Sequence, residues 1–184
     1  MVDYSDVFFN GFPSKGLYVK KLAKAKKCAT SILMNYQDEK EKVVIFDFDN
    51  TLVYIDNILF RRYIYNPLYL KNDIIFEPIQ EMVDVANLAK ELGYLTILIT
   101  SRKDSLYSDT ITNLEYIGFS PDLVFMNIEN ENKKNIRYKI SKISMLKLVN
   151  SGGDVNVLMN ESNTKLKSKR NNIILTIGDN WDDI

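Results

Sequence analysis

Asp47 and Asp49 stand two residues apart at the end of an apolar run, Val43-Val44-Ile45-Phe46, and Thr51 follows them. In an extended backbone that spacing places both carboxylates on one side. Two anions held so close repel, so one takes a proton or a cation sits between them. The run before them is apolar without alternation, the pattern of a strand buried on both faces. Sheets of α/β proteins take their ligands at the carboxyl ends of their strands, which is where the pair falls. The segment predicts a magnesium-assisted reaction on a phosphorylated substrate.

Two further polar clusters follow apolar runs: Thr100-Ser101-Arg102, and Asp179 with Asp182 and Asp183. Lys133, Lys134, Lys139 and Lys142 lie in or just after the loop behind a third run. Each cluster alone has an ordinary explanation, because Asp and Ser cap helices and Asp-Asn opens turns. In a parallel sheet, however, all of them converge on one edge.

The elements that must position these residues are readable from periodicity. Residues 1–16 are turn-rich; Gly11 and Gly16 have P-loop spacing, but Leu17 and Tyr18 stand where Lys and Ser/Thr are required. A helix is predicted from Leu17 to about Gln37, with Leu22, Ala25, Ala29, Ile32 and Leu33 on its apolar face. Strands are predicted at 43–48, Tyr94 to Thr100, Leu123 to Met126 and Asn172 to Ile177. Helices are predicted from near Pro78 to Gly93, from Asp104 or Ser105 as cap to about Tyr116 and Gly118, and over 139–149. Residues 53–76 and 154–171 resist assignment. Strands alternating with helices predict an α/β fold, a Rossmann-like parallel sheet flanked by helices, over 1–184 as one domain. A covering helix is expected after the last strand. Since the chain stops at Ile184, it reads as a domain cut from a longer protein.

Composition narrows the chemistry. The 184 residues carry 24 basic and 24 acidic side chains and no histidine, which removes histidine bases, phosphohistidine and most zinc sites. A formal charge of zero gives no overall field toward nucleic acid or membrane, though local patches remain open. Cys28 is the single cysteine, so no intramolecular disulfide forms. Met34 stands where a cysteine phosphatase needs arginine, and Cys28 reads as a packing residue. The start of the chain, with Asp3 and Asp6, lacks a secretory pattern, and no run is long enough to span a membrane. The Asn160 sequon therefore carries no weight, and an intracellular, cytoplasmic protein is expected.

The motifs together resemble the haloacid dehalogenase (HAD) superfamily, and within it the class B/C-like, subfamily III acid-phosphatase branch. Asp47-Phe48-Asp49-Asn50-Thr51 is similar to the family's D-x-D-x-T; Thr100 before Ser101-Arg102 is similar to its second motif; Gly178-Asp179-Asn180-Trp181-Asp182-Asp183 is similar to its fourth. Asn113-Leu114 and Gly118 fit the branch's helix-and-turn spacing. Asn50 stands where class C members usually carry Glu, and those members are usually exported. The resemblance implies a phosphate monoester hydrolase. Asp47 would be the nucleophile, forming an aspartyl-phosphate, and Asp49 the general acid and base, with a pKa raised toward neutrality. Mg2+ would be held by Asp47, the main-chain carbonyl of Asp49 and Asp179, with Asp183 beside them or Asp182 in its place. Thr100 would bond a phosphoryl oxygen, and Lys139, ahead of Lys142 and Lys134, would neutralise its charge. Thr51, Ser101, Arg102 and Asn180 would line the substrate.

In this family the segment after the first motif shapes access to the site. Here 53–76, a small cap-like insertion, holds Tyr54, Phe60, Arg61, Arg62, Tyr63, Tyr65 and Tyr69. These residues can pack a cap or stack a nucleobase and grip phosphate. The expected partner is a phosphorylated small molecule or nucleotide. A nucleotide or polynucleotide-end phosphatase is the second enzymatic reading, and a metal- and phosphate-binding domain without turnover is the non-enzymatic one.

Overall fold

A computed structural model of the chain describes residues 15–37, 42–55, 74–127 and 172–179. Four parallel strands form one sheet: β1 (Lys42–Phe46), β2 (Leu95–Lys103), β3 (Leu123–Asn127) and β4 (Asn172–Ile177). Their spatial order is β3-β2-β1-β4. The chain steps from β1 outward through β2 to β3, then returns to place β4 on the other flank of β1. The direction of winding therefore changes at β1, and the crevice at such a change is where parallel sheets bind ligands.

β1 has the burial its sequence predicts. Val43, Val44, Ile45 and Phe46 are all fully buried. Val44, Phe46 and Leu98 join the main core cluster, while Val43, Ile45, Ile97, Ile99 and Phe125 are buried outside it. That division follows the alternation of strand side chains between the two faces. Phe46 meets Phe119 edge to face at 5.6 Å between ring centroids, a geometry worth about 1 kcal/mol beyond area burial.

Among the described residues three α-helices accompany the sheet: α1 (Lys15–Asn35), α2 (Gln80–Glu91) and α3 (Tyr107–Tyr116). α1 buries Leu22, Ala29 and Leu33 and leaves Lys24 and Lys27 exposed, as the periodicity predicts. α2 buries Met82, Val83, Val85, Ala86 and Ala89, packing on α1 and β2. Both α2 and α3 end as expected at glycine. Gly93 (φ 76°) and Gly118 (φ 72°) take the left-handed conformation. In each case the next residue turns back to donate to the helix: Tyr94 N–H to Ala89 O and Phe119 N–H to Leu114 O, both at 3.0 Å.

The structure corrects several boundaries. β1 stops at Phe46 rather than residue 48, because the chain turns at Phe48. α2 starts at Gln80, and Pro78 pairs with Val53 instead of opening the helix. Neither Asp104 nor Ser105 caps α3: they lie in a 3-10 turn (Asp104–Leu106), where Asp104 Oδ1 accepts only the Ser105 N–H at 2.9 Å. β2 runs three residues past Thr100 to Lys103. The helix predicted at 139–149, the stretch 154–171 and the insertion residues 56–73 lie outside the described residues. Among the described residues no helix is long and apolar enough to cross a membrane.

Candidate active site

Asp47 follows β1 directly. Its N–H donates to Ile177 O at 2.9 Å, extending the β1–β4 ladder by one bond. The residue is 5% exposed, and Thr51 donates its hydroxyl to the Asp47 carboxylate at 3.4 Å. The register that pairs Phe46 with Ile177 also sets Gly178-Asp179 on the strand end next to Asp47.

The backbone then reverses. The Phe48 carbonyl accepts N–H groups from Thr51, Leu52 and Val53, and Asn50 N–H donates to Val53 O at 2.8 Å. The turn needs a left-handed residue, and Asn50 supplies it at φ 58°, a conformation Asn tolerates better than most side chains. Asn50 Oδ1 accepts the Ile55 N–H at 3.1 Å. The position that departs from the class C pattern is thus occupied by a residue that holds the turn. Because the chain is not extended here, the two carboxylates take different partners.

Asp49 pairs with Arg102. Nε donates to Oδ1 at 2.9 Å and to Oδ2 at 3.1 Å, and Nη2 lies 2.6 Å from Oδ1. The Arg102 side chain, expected to line the substrate, is 1% exposed. Nη1 donates to Thr110 Oγ1 at 3.3 Å, and the guanidinium lies over the Phe48 ring at 4.4 Å and the Phe76 ring at 5.2 Å. β2 is irregular at this point. Ile99 pairs with Phe125 but Lys103 with Asn127, so the register slips between them. Such irregularities re-aim side chains at strand ends. Here Thr100 and Arg102 are buried and Ser101 is exposed.

Thr100 is fully buried and its Oγ1 accepts the Arg102 N–H at 3.2 Å. A hydroxyl that accepts one bond keeps its own hydrogen to donate. Asp47, Asp49, Thr51 and Asp179 accordingly lie just beyond the carboxyl ends of β1 and β4, and Thr100 and Ser101 lie in the last four residues of β2. Lys139, Asn180, Asp182 and Asp183 lie outside the described residues.

Among the described residues no three acidic side chains come together as a metal site. With the Asp49 carboxylate turned to Arg102, the oxygen donors at this edge among the described residues include the Asp47 and Asp179 carboxylates and main-chain carbonyls. Hard oxygen donors with one or two carboxylates, the rest water and phosphate, are the set Mg2+ prefers. The residues present fit that ion.

Three contributors were not foreseen as part of this arrangement: Thr110, Phe76 and the buried amide of Asn113. Thr110 and Asn113 stand three apart on α3, the spacing of one helix face. That polar pair on a helix packed into the core was the available signal.

Comparison with known proteins agrees with this geometry. Residues 15–184 match the acid phosphatase family, HAD superfamily subfamily IIIB. No curated protein matches the sequence. Among solved structures, a class C acid phosphatase from Bacillus anthracis with tungstate bound is similar in fold, with TM-score 0.58, 18% identity and 91% of this chain covered. This chain spans 65% of that protein's length. A chain of the Pnkp1/Rnl/Hen1 complex is similar over 62% of this chain and 36% of its own, with 23% identity and TM-score 0.43.

Proposed function

The chain belongs to the acid phosphatase family of HAD superfamily subfamily IIIB, and from that membership we propose that it is a Mg2+-dependent phosphatase acting on phosphate monoesters through an aspartyl-phosphate at Asp47. The observation that carries the reading is the placement of Asp47. It is a buried carboxylate at the carboxyl end of the central strand, at the change of winding, tied to β4 by its N–H and steadied by Thr51.

In the first step an Asp47 oxygen attacks phosphorus and forms an acyl-phosphate bond as the ester P–O bond breaks. Asp49 supplies the proton that the departing oxygen takes up. In the second step a water attacks phosphorus and loses its proton to Asp49, Asp47 regains its carboxylate, and inorganic phosphate leaves. Thr100 donates its hydroxyl to a phosphoryl oxygen, Ser101 lies exposed at the same edge, and Lys139 offsets negative charge on the transferring group. Asp47, the Asp49 carbonyl, Asp179 and Asp183 would hold the ion. When bound, it neutralises phosphoryl oxygens and orients the ester. Asn180 contacts the substrate, a phosphorylated small molecule or nucleotide.

A panel of phosphate esters with Mg2+, with chelator, and with Asp47→Asn tests the reading. Turnover that needs both the metal and Asp47 supports it. Turnover by the Asp47→Asn protein equal to that of the unaltered chain overturns the nucleophile.

A further inference from the structure

Resting on the phosphatase reading, the structure assigns Arg102 the role of positioning residue for Asp49 rather than of substrate ligand. An arginine that binds substrate phosphate must present its fork to the crevice. This one turns Nε and Nη2 to Asp49 and Nη1 to Thr110, and its side chain is 1% exposed. The Phe48 and Phe76 rings lie against it as well, at 4.4 and 5.2 Å. Thr110 is in turn fixed, because its hydroxyl donates to Leu106 O at 2.9 Å. The guanidinium is a rigid planar fork, so fixing its plane fixes the carboxylate that meets it.

The consequence is specific to proton delivery. Asp49 hands its proton to the leaving oxygen, which matters when the leaving group is an alkoxide and little when it is the anion of an acidic phenol. A residue that orients Asp49 therefore controls the rate according to the leaving group. A phosphate ligand, or a residue that only holds the fold, affects all esters alike.

The test compares kcat/KM for an alkyl phosphate and for 2,4-dinitrophenyl phosphate, with Mg2+, in the unaltered protein, Arg102→Lys, Thr110→Val, Asp49→Asn and the Arg102→Lys/Asp49→Asn pair. Lysine keeps the charge but not the fork. Arg102→Lys is expected to cut turnover of the alkyl ester by about 100-fold or more and of the dinitrophenyl ester by no more than about tenfold. In the Asp49→Asn background it should add no further change in the ratio between esters. Thr110→Val, which leaves the ion pair in place, should shift the ratio in the same direction by a smaller factor, and it serves if the arginine variant does not fold. Equal losses on both esters, a gain on the alkyl ester, or a full additional ratio change on Asp49→Asn would overturn the assignment while the phosphatase reading stands. An unaltered protein that turns over neither ester overturns both.

Discussion

Asn113 on α3 holds the backbone of Phe76. Its Oδ1 accepts the Phe76 N–H at 2.8 Å, while Nδ2 donates to Ile74 O at 2.8 Å and Asp109 O at 2.9 Å. One buried amide thus satisfies three main-chain groups on two segments, and the residue it fixes lays its ring against Arg102. The path from Asn113 through Phe76 and Arg102, near the end of β2, to Asp49 links α3 to the crevice.

Asn113→Ala should destabilise the fold by about 2–4 kcal/mol, since it strands a buried N–H and a carbonyl and removes packed atoms. Urea unfolding measures this. A change below about 0.5 kcal/mol would mean that water replaces the amide at no cost.

Asp47→Asn should lower turnover of aryl phosphates by at least about a thousandfold. Its circular dichroism and unfolding midpoint should stay close to those of the unaltered chain, because the amide retains an oxygen to accept from Thr51.

Chelation should abolish activity and added Mg2+ should restore it. Asp179→Asn should raise the Mg2+ concentration needed for half-maximal rate by about tenfold or more, given how few carboxylates such a site employs. An unchanged metal requirement would remove Asp179 from the ion's surroundings.

Asp122 gives a stability prediction away from the crevice. Its Oδ2 accepts both the N–H and the hydroxyl of Thr96 at 2.7 Å, and Lys90 lies 3.5 Å from Oδ1. Partial burial pushes its pKa up, but those bonds and the lysine outweigh burial and hold it below the ordinary value. A carboxyl lowered in the folded state stabilises above its unfolded pKa of about 4, and that contribution disappears as pH falls through the folded value. Asp122→Asn should therefore cost roughly 1 kcal/mol at neutral pH, a figure reduced for the group's partial exposure. The difference from the unaltered protein should close below about pH 4. A gap that persists in acid would point to packing rather than charge.

Asn50→Ala should lower the melting temperature by an amount equivalent to about 1–2 kcal/mol, since it puts a residue without local hydrogen bonding at φ 58° and frees the Ile55 N–H. Asn50→Gly, which relieves the backbone cost, should recover part of the loss.

What the sequence revealed and what it concealed divide along physical lines. The run Val43–Phe46, the helix ends at Gly93 and Gly118, and the bounds of β4 follow from burial and backbone preference, which act locally. The convergence of Asp47, Thr100 and Asp179 at one sheet edge follows from parallel pairing alone. The partner of Asp49 was not legible, because Asp49 lies in the turn after β1 and Arg102 on β2, and neither segment's own pattern pairs them. Nor was the turn at Phe48. Period-two reasoning assumes extended chain, and here one carbonyl gathers three N–H groups. Asn113 was marked only by its helix-and-turn spacing, and its bonds to Phe76 and Ile74 depend on a segment distant in sequence.

The base of the insertion is narrow. Ile79 N–H donates to Leu52 O and Tyr54 N–H to Glu77 O, both at 2.8 Å, with Val53 bridged to Pro78 between them. The points where the chain departs and rejoins are thus clasped together, so the length of the excursion is nearly decoupled from the scaffold, since closing a longer loop costs only slowly more entropy. Residues 56–73 can therefore change in length without re-registering the strands on either side.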